Sequence, residues 1–408
     1  MEFGLLGERL GHSYSPRIHQ ELGGYDYRLI ELRPDQLPAF LKKKDFRGLN
    51  VTIPYKQAVI PFLDELTERA GRIGAVNTIL RRADGTLLGD NTDYAGFMTM
   101  LDRAGLRPEG RKCLVLGSGG ASHTAVACLR DRGAREIRVI SRRGEDHYGN
   151  LDRHRDAELI VNTTPVGMYP GNGVSPVNLA DFPALRGVAD LIYNPLRTAL
   201  LLQAEESGIP AAGGLGMLVA QARAAAEVFL GKQIPPAAEE RILGTLEKEA
   251  RNWVLIGMPG CGKTTVGRLL SARTGRKLVD TDELIEREAG GRRCGDLIRG
   301  LGEEAFRALE ARACAEAGKA SGTIIATGGG AVTRPENRQS LRQNGILIHL
   351  DRPPEALATA GDRPLSRTRE DLDRLYRDRA PLYAAWRDLR VESGSPEEAA
   401  EKIQEALE

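Results

Sequence analysis

An octapeptide in the C-terminal part of the chain, GMPGCGKT at residues 257–264, limits the possible folds more than any other segment. It fits the pattern G-x-x-x-x-G-K-[ST], it follows the apolar run 253–256, and it opens the helix-compatible run TTVGRLLSARTG. At a helix N-terminus, such glycines let backbone N–H groups close around phosphates, and the helix dipole favours the negative charge. The segment therefore predicts a strand, a phosphate-binding loop and a helix in succession.

The residue types in this loop suit ATP and Mg²⁺. Gly260 and Gly262 free the backbone for the phosphates, and Lys263 is placed to reach the β- and γ-phosphates. The hydroxyl of Thr264 is the predicted Mg²⁺ ligand, and Thr265 continues the first turn of the helix. A chance match to a glycine-rich turn is disfavoured, because the strand before the loop and the helix after it are also present. We therefore predict ATP binding here.

The bulk composition describes an ordinary folded protein without a strong charge field. A chain of 408 residues exceeds what one hydrophobic core usually serves, so we expect two or three domains. Lys plus Arg number 57 and Asp plus Glu number 56, which gives no overall attraction to nucleic acid or acidic lipid. The sequence shows no secretory signal, no apolar run long enough to span a membrane and no CxxC spacing. We expect a cytoplasmic protein without a disulfide framework or structural zinc.

Short apolar runs alternate with helix-like stretches along almost the whole chain. This alternation is typical of α/β architecture with mainly parallel sheets. The predicted strands are 2–6, 27–32, 48–53, 112–116, 136–140, 158–161, 188–192, 253–256, 277–280, 323–326 and 346–350. Residues 237–251 have the pattern of a charged helix that leads directly into the strand before the phosphate loop, so no flexible linker separates the two halves.

A second glycine-rich turn, GSGGAS at residues 117–122, follows a predicted strand and precedes another helix-like run. It fits a dinucleotide-binding turn, in which Gly117 makes the bend, Gly119 lets the pyrophosphate approach and the small Ser122 packs closely. Gly120 and Ala121 complete the predicted cofactor-binding turn. The pattern alone is a weak signal, but the next strand supports it.

That next strand is followed by Arg142 and Arg143. An NAD enzyme usually presents an acidic residue here to the ribose 2′-hydroxyl, whereas guanidinium groups suit a 2′-phosphate. We therefore predict NADP(H) as the cofactor. The stretch from Arg143 to the next predicted strand is too short for a complete crossover, so we expect one edge strand of the usual sheet to be missing.

The segments that follow the phosphate loop resemble shikimate kinase in order and spacing as far as the C-terminus. They are LVDTDELIE with Asp280 and Asp282, EEAFRALE with Arg307, TGGGAV with Gly328, Gly329 and Gly330, GDRPL with Arg363, and DRAPLY with Arg379. The resemblance implies that Arg307 and Arg379 bind the shikimate carboxylate, for which guanidinium groups are geometrically suited. It also implies that Asp282 and the backbone of Gly329 and Gly330 receive the hydroxyls, with Gly328 in the same substrate site. Asp282 then orients the attacking oxygen and is the candidate acceptor of its proton.

The same resemblance assigns the metal and the lid. Asp280 supports Mg²⁺ through water, and Arg363 reaches the transferring phosphoryl group from a closing lid. The lid departs from the family pattern, because a basic residue often found several positions before Arg363 is lacking and the stretch from Arg363 to Arg379 is a few residues short. This departure affects the part of the family pattern that governs closure of the lid and affinity for the nucleotide.

Residues 1–236 resemble shikimate dehydrogenase through a succession of short segments. These are HSYSP, GLNVTIPYK, GAVNT, GDNTDYAGF, VNTTPVGM and GGLGMLVAQA. The resemblance implies that Lys56 donates a proton to the carbonyl oxygen of 3-dehydroshikimate and that Asp93 hydrogen-bonds both this lysine and the same hydroxyl. The other implied site residues are Ser13 and Ser15 for the carboxylate, Thr52, Asn77 and Gln221 for the hydroxyls, Asn50 in the substrate site and Met217 beside the cofactor.

Together the resemblances predict an N-terminal dehydrogenase, with an α/β substrate domain and a Rossmann-type NADP domain, followed by a P-loop kinase domain with a parallel sheet. The predicted domains are 1–101 plus 215–248 for shikimate, 102–214 for NADP and 251–408 for the kinase. The predicted reactions are NADPH-dependent reduction of 3-dehydroshikimate and Mg-ATP-dependent phosphorylation of shikimate. Two alternatives stay open: a ligand-sensing regulator derived from these enzymes, and an NAD-dependent quinate/shikimate dehydrogenase in the first half. The oligomeric state is open as well.

Overall fold

The computed structural model describes residues 2–11, 13–357 and 368–408. These residues form two compact units, each with helices and mainly parallel strands, which confirms the predicted α/β class. The first unit is built from segments 1–168, 174–194 and 203–245, and the second from segments 169–173, 195–202 and 246–408. Among the described residues, no helix is both long enough and apolar enough to cross a membrane.

The first unit begins with a mixed sheet, the N-terminal sheet. Its strands are β1 (Phe3–Gly7), β2 (Tyr27–Glu31), β3 (Gly48–Val51), β4 (Glu65–Leu66), β5 (Thr78–Arg81) and β6 (Leu87–Asp90), in the order β2-β1-β3-β5-β6-β4. The helices are α1 (Ser15–Gly23), α2 (Leu37–Lys43), α3 (Glu68–Ile73) and α4 (Asp93–Arg103). Strand β5 is antiparallel to both β3 and β6, so β3 and β6 run the same way and end at the same edge.

The sequence prediction omits β5 and β6, which form a short hairpin. In the turn between them, Gly85 has a φ of +83°, and Asp84 Oδ1 accepts a hydrogen bond from the backbone N–H of Thr86. Glycine tolerates this left-handed backbone, and an aspartate side chain often bonds the backbone two residues later. Ile79 and Leu87 bury the hairpin in the core of the sheet. Each strand has only 4 residues, which is too few for periodicity to reveal.

The second sheet of the first unit is parallel throughout its described strands. These are β7 (Lys112–Leu116), β8 (Glu136–Ile140), β9 (Leu159–Asn162), β10 (Gly187–Asp190) and β11 (Ala211–Ala212), in the order β11-β10-β9-β7-β8. Helices α5 (Gly120–Asp131), α6 (Ala199–Glu206) and α7 (Gly214–Leu230) follow β7, β10 and β11 in sequence. Between β8 and β9 the chain forms only a short 3₁₀ segment, Tyr148–His154. Strand β8 therefore lies at the edge of the sheet, as the short spacing predicted.

Helix α8 (Pro236–Ala250) contains the division between the two units, which falls after Thr245. Its first half is held in the first unit by the buried carboxylate of Glu239. This carboxylate accepts hydrogen bonds from Arg103 at 2.8 Å and from Arg223 at 2.6 Å. Two helices, α4 and α7, therefore share one anionic anchor on α8.

The second half of α8 is held in the second unit by Arg276. Its guanidinium donates to the backbone oxygen of Lys248 at 2.8 Å and to that of Arg251 at 2.7 Å. The same guanidinium lies 4.8 Å from the ring centre of Trp253, a cation–π distance. Arg276 thus satisfies carbonyl groups that the end of a helix leaves without partners.

The second unit is built around a sheet whose described strands are all parallel. They are β12 (Asn252–Ile256), β13 (Leu278–Asp280), β14 (Ile324–Ala326), β15 (Gly345–Asp351) and β16 (Leu389–Glu392), in the order β13-β14-β12-β15-β16. Its helices are α9 (Lys263–Thr274), α10 (Thr281–Glu288), α11 (Cys294–Leu301), α12 (Glu303–Gly318), α13 (Pro335–Arg342), α14 (Arg369–Trp386) and α15 (Pro396–Leu407). The central strand β12 is buried along its length and leads into the phosphate loop.

Replacing Glu239 tests the anchor on α8. Glu239→Ala should destabilise the first unit by about 3 kcal/mol, because two arginines lose a partner that is itself buried. Glu240→Ala is the matched control, since Glu240 is 66% exposed and pairs with Arg103 alone, and it should cost less than about 1 kcal/mol. Urea unfolding followed by circular dichroism measures both variants. Equal losses would contradict the anchoring role of Glu239.

Candidate active sites

A buried lysine–aspartate pair marks the first site. Lys56 lies in the turn after β3, and its Nζ donates to Oδ2 of Asp93, the first residue of α4, at 2.6 Å. The side chains are 17% and 10% exposed, so water screens the pair little. A Cβ added at Gly120 would meet the Lys56 Cβ at 3.4 Å, which places the lysine against the start of α5. A proton donor therefore lies directly beside the dinucleotide turn.

Next to this pair, an amide network joins the end of the hairpin to α7. The Oδ1 of Asn77 accepts a hydrogen bond from the backbone N–H of Thr92 at 2.7 Å, and its Nδ2 donates to Gln221 Oε1 at 3.4 Å. Gln221 also donates from Nε2 to the backbone oxygen of Leu218 at 2.9 Å. Met217 is buried four residues before Gln221, so the two share a face of α7. The structure thus brings Asn77 and Gln221 together beside the residue that precedes Asp93.

Asn50 and Thr52 lie on and just after β3. The Oδ1 of Asn50 accepts from the Tyr27 hydroxyl at 2.7 Å, and its Nδ2 donates to Thr78 Oγ1 at 3.2 Å. Thr52 Cγ2 lies 2.8 Å from where a Cβ at Gly7 would be, so a larger residue at position 7 would displace it. The amide of Asn50 is therefore engaged inside the protein, whereas Thr52 is only partly buried.

The two predicted carboxylate-binding serines lie at the start of α1. The backbone N–H of Ser15 donates to Ser13 Oγ at 3.2 Å. Within the described part of the chain, no hydrogen bond joins either serine to the lysine–aspartate pair. Between them, the Tyr14 ring lies 6.0 Å from the ring of Tyr193, centre to centre. Tyr193 follows the carboxyl end of β10, and burial raises the pKa of its hydroxyl. The sequence prediction omits Tyr193. Its position after a parallel strand was a usable signal, because ligands bind at the carboxyl ends of such strands.

The dinucleotide turn has the geometry that its glycines predicted. Gly117 has a φ of +107°, and a Cβ there would lie 2.8 Å from Thr163 Oγ1. Gly119 precedes α5 without a side-chain cap, and Ser122 is buried against the turn. Uncapped N–H groups at a helix start, together with a bend that only glycine fits, suit a pyrophosphate. Gly120 and Ala121 form the first residues of that helix.

Two exposed arginines stand at the end of β8. Neither Arg142 nor Arg143 forms an ion pair with a carboxylate in the described segments. Burial raises the pKa of the nearby Tyr148, and the charge of Arg142 opposes this rise. The turn has two acidic residues: Asp146 is already paired with His154 at 2.9 Å, and Glu145 forms no ion pair with either arginine in the described segments. Two free guanidinium groups therefore fit the 2′-phosphate of NADP.

The phosphate loop shows the second site in the form that its motif predicted. Gly257, Gly260 and Gly262 have φ values of +149°, +81° and +97°, and α9 begins at Lys263. The Lys263 Nζ donates to the backbone oxygens of Gly257 and Met258 at 2.8 and 3.0 Å. Left-handed glycines, a cation held over the loop and a helix start together fit the phosphates of ATP.

Oxygen ligands for a divalent cation lie next to this loop. The Thr264 hydroxyl donates to Asp280 Oδ2 at 2.7 Å, and Asp280 Oδ1 accepts from the backbone N–H of Asp282 at 3.0 Å. Thr265, the next residue of α9, is exposed. Within the described residues, no group of three or more His, Cys, Asp or Glu side chains could hold a metal alone. Mg²⁺ commonly binds through one or two carboxylates plus substrate phosphates, and Thr264 with Asp280 fit that pattern.

Asp282 lies partly buried at the end of this row. Burial, together with the negative charges of Asp280 and Glu310, raises the pKa of its carboxyl to about 6. A Cβ at Gly328 would lie 2.9 Å from Asp282 Oδ1 and 2.4 Å from Glu310 Oε1. Because Gly328 has no side chain, the space in front of both carboxyl groups stays open. A carboxylate with a raised pKa is suited to accept a proton from a bound hydroxyl.

Arg307 faces the same space. Its Nη1 donates to Glu310 Oε2 at 2.5 Å, and a Cβ at Gly330 would collide with the guanidinium at 1.9 Å. Glu310 is 1% exposed, and its Oε1 has no partner among the described residues. The sequence prediction omits Glu310, although its place three residues after Arg307 on a helix is the spacing of a side-chain pair. This glutamate keeps the Arg307 guanidinium oriented and ionised.

Arg379 and Tyr383 complete the second site from α14. The Arg379 Nη1 and the Tyr383 hydroxyl both donate to the backbone oxygen of Gly329, at 3.2 and 2.6 Å. A Cβ at Gly329 would lie 2.7 Å from Pro259, so this glycine loop packs directly on the phosphate loop. The predicted lid residue Arg363 lies outside the described residues.

Comparisons with known proteins find matches in both halves of the chain. Residues 259–408 match the family described as shikimate kinase, and residues 5–79 match the shikimate dehydrogenase substrate binding domain. The NADP(+)-type shikimate dehydrogenase of Clostridium perfringens strain SM101 is 38% identical over 266 residues, which cover 60% of this chain and 98% of that protein. The enzyme of the same name from Salinibacter ruber is 40% identical over 268 residues, covering 57% and 93%.

Solved structures give the same picture for the first half. A chorismate mutase/shikimate 5-dehydrogenase fusion protein from Clostridium acetobutylicum has a TM-score of 0.57 and 38% identity, covering 60% of this chain and 97% of that one. Thermus thermophilus shikimate 5-dehydrogenase in complex with NADP(H) and shikimate has a TM-score of 0.54 and 34% identity, covering 60% and 99%. Corynebacterium glutamicum quinate dehydrogenase in complex with NAD has a TM-score of 0.53 and lower identity, 28%, covering 60% and 99%.

The raised pKa of Asp282 predicts a gain in stability when its charge is removed. The folded protein binds this proton more tightly than the unfolded chain, so the stability contributed by the group is full below pH 4 and is lost as the pH rises through about 6. Asp282→Asn should therefore stabilise the second unit at pH 7 by roughly 2–3 kcal/mol, and the gain should shrink as the pH falls toward 4.

Tryptophan fluorescence measures this effect selectively, because both tryptophans of the chain, Trp253 and Trp386, are buried in the second unit. Glu283→Gln is the control, since Glu283 lies beside Asp282 but is 70% exposed. If Asp282→Asn and Glu283→Gln changed the free energy of unfolding equally at pH 7, the ionised Asp282 carboxylate would not destabilise the folded protein.

Proposed function

We propose that this chain, which belongs to the shikimate dehydrogenase family and carries a shikimate kinase domain, catalyses two consecutive reactions. The first is the NADPH-dependent reduction of 3-dehydroshikimate to shikimate, and the second is the Mg-ATP-dependent phosphorylation of shikimate to shikimate 3-phosphate. One observation carries the proposal: a lysine–aspartate pair beside a dinucleotide turn and an arginine–aspartate pocket beside a phosphate loop occur in one chain. The product of the first site is the substrate of the second.

In the reduction, NADPH supplies the hydride to the carbonyl carbon. The chain supplies the proton, which the ammonium of Lys56 donates from Nζ to the carbonyl oxygen. Asp93, 2.6 Å from Nζ, holds the ammonium in place and hydrogen-bonds the hydroxyl that forms. Positioned acid catalysis of this kind is typically worth about 10²–10⁴ in rate. The same positive charge stabilises the developing alkoxide.

The cofactor is held at both of its phosphate groups. Backbone N–H groups at the start of α5 receive the pyrophosphate, and Arg142 with Arg143 receive the 2′-phosphate, which NAD lacks. Met217, buried on the same helix face as Gln221, is the residue we assign beside the nicotinamide end. These contacts bind and orient the cofactor without taking part in bond making.

In the phosphorylation, ATP supplies the phosphoryl group and Mg²⁺ neutralises its charge. Lys263 turns from the loop carbonyls to the phosphates, and Thr264 with Asp280 holds the metal side. Arg307 and Arg379 bind the shikimate carboxylate as bidentate donors. Asp282 orients the acceptor hydroxyl and takes its proton as the oxygen attacks. Arg363 remains a predicted contributor from the lid.

The two alternatives receive less support. A ligand-sensing descendant would not need its catalytic groups, yet Lys56, Asp93, Lys263 and Asp282 are all present. An NAD-dependent quinate/shikimate dehydrogenase would not need two unpaired arginines after β8. We also propose that the enzyme works in the cytoplasm, where thiols persist in the reduced form, because all five cysteines are free.

Cofactor choice tests the role of the two arginines. Replacing both Arg142 and Arg143 with Ala should raise the KM for NADPH roughly 10-fold to 100-fold, because hydrogen bonds to a charged group contribute about 1.5–3 kcal/mol. The KM for NADH should change little. Arg155→Ala removes another exposed arginine of the same sheet region and serves as the control. Equal changes for both cofactors in the double variant would remove the reason for assigning NADP.

Separate lysine variants test the presence of two independent sites. Lys56→Ala should reduce NADPH oxidation at least about 100-fold, since no other described group is placed to protonate the carbonyl oxygen, while phosphorylation of added shikimate persists. Lys263→Ala should have the reverse effect, because it removes the charge that binds the phosphates. A coupled assay with 3-dehydroshikimate, NADPH and Mg-ATP follows both activities.

Two checks accompany these variants. Lys43→Ala removes an exposed lysine and should leave both rates unchanged. Mixing Lys56→Ala with Lys263→Ala should restore formation of shikimate 3-phosphate, because shikimate diffuses from one molecule to the other. Loss of both activities in either folded variant would show that the sites are not independent, and absence of both in the unaltered chain would refute the proposed function.

A further inference from the structure

The orientation of the Asn77 amide is forced by its surroundings. The backbone N–H of Thr92 can only donate, so the atom it meets at 2.7 Å must be the amide oxygen, Oδ1. The same Oδ1 lies 3.0 Å from Thr78 Oγ1 and 3.2 Å from Thr92 Oγ1. These donors saturate its two lone pairs. The Nδ2 group, which has one long bond to Gln221 at 3.4 Å, is the end that can serve a ligand.

The Thr78 hydroxyl keeps its proton for donation, because its Oγ1 lies 3.2 Å from the Nδ2 of Asn50, which is a donor. That proton has two acceptors within reach, Asn77 Oδ1 and Thr92 Oγ1, both at 3.0 Å. In the pair of threonine hydroxyls either can donate, and both lie within hydrogen-bond distance of Asn77 Oδ1. The Asn50 amide is oriented in turn, because its Nδ2 faces the backbone oxygen of Asn77 at 3.4 Å and its Oδ1 accepts from the Tyr27 hydroxyl at 2.7 Å. Asn50 and Thr78 are direct cross-strand partners in the β3–β5 pairing.

Tyr27, the last residue in this series of hydrogen bonds, is held firmly by its neighbours. The Tyr27 ring stacks on His19 with 4.0 Å between centres and 8° between planes. His19 Nδ1 lies 2.5 Å from the Tyr25 hydroxyl, and both His19 and Tyr27 are buried. Buried hydrogen-bond chains of this kind act as a unit and specify one arrangement. An amide flip at Asn77 would therefore break several bonds at once.

We propose that Tyr27, Asn50 and Thr78 form a positioning relay that keeps Asn77 as a hydrogen-bond donor and so selects a substrate hydroxyl at this point of the dehydrogenase site. The inference rests on the proposed function and deepens it. Asp93, which follows Thr92, can only accept when ionised, whereas Asn77 can only donate. A substrate group other than the reacting carbonyl that faces both must accept a hydrogen bond from Asn77 and donate one to Asp93, which a ring hydroxyl does and an ether oxygen does not. Asn50, predicted from resemblance to touch the substrate, is here a positioning residue.

Thr78→Val is the direct test, because it keeps the shape of the side chain and removes the hydroxyl. We expect the KM for 3-dehydroshikimate to rise about tenfold while the KM for NADPH stays within about twofold, since only the ring-acid site loses its oriented donor. Thr78→Ser, which keeps the hydroxyl, is the matched control and should stay within about twofold of the unaltered enzyme. Tyr27→Phe removes one bond farther along the relay and should give a smaller change in the same direction.

A double-mutant cycle separates positioning from a general loss of structure. In an Asn77→Ala background, Thr78→Val should change the KM no further, because the oriented group is already gone. Equal effects of Thr78→Val with and without Asn77 would overturn the relay, as would a folded Thr78→Val enzyme with an unchanged KM. If Thr78→Val failed to fold, Tyr27→Phe in the same cycle decides the question. An unaltered chain that does not reduce 3-dehydroshikimate would refute the proposed function instead, so the two failures are distinguishable.

Discussion

Both halves of the chain depend on strands that run the same way and therefore end at one edge of a sheet. In the N-terminal sheet, β3 and β6 end where β5 begins, which brings Lys56, Asp93 and Asn77 to a common edge although 37 residues separate the lysine from the aspartate. In the second unit, β12 ends at the phosphate loop and β13 ends at Asp280. Strand direction thus gathers groups that the sequence keeps far apart, and the helices that start at the same edge add their N–H groups.

In the second site, two cations are held inside the protein in different ways. Lys263 is held by neutral carbonyls, which are weaker partners for an ammonium than a phosphate, so its transfer to a nucleotide is favourable. Arg307 has instead an ionic partner, Glu310, that is buried and fixed. The first arrangement suits a group that moves when the ligand arrives, and the second suits a group that must stay in place. Preorganised charge of this second kind avoids reorganisation during the reaction.

The sequence predicted the motif residues and most central strands well, because glycine patterns and apolar runs are local signals. It omitted β5 and β6, where each strand is short, and β16 at the sheet edge, where burial is incomplete. It also omitted Glu310 and Tyr193, whose roles depend on contacts made only after folding. For Asn50, the motif identified the residue but not its orientation. Only the hydrogen bonds to Tyr27 and Thr78 show which way its amide points.

The division of the chain inside α8 bears on how the two activities are inherited. A cut after Thr245 would sever a continuous helix and create two ends whose backbone groups lack partners. Neither piece would keep the whole helix, since Glu239 secures the first part and Arg276 the last. Gene fission at this point therefore carries a folding penalty that a loose linker would not impose. Because the continuous helix joins both halves in one chain, the two active sites are present in equal numbers. They are synthesised, inherited and degraded together.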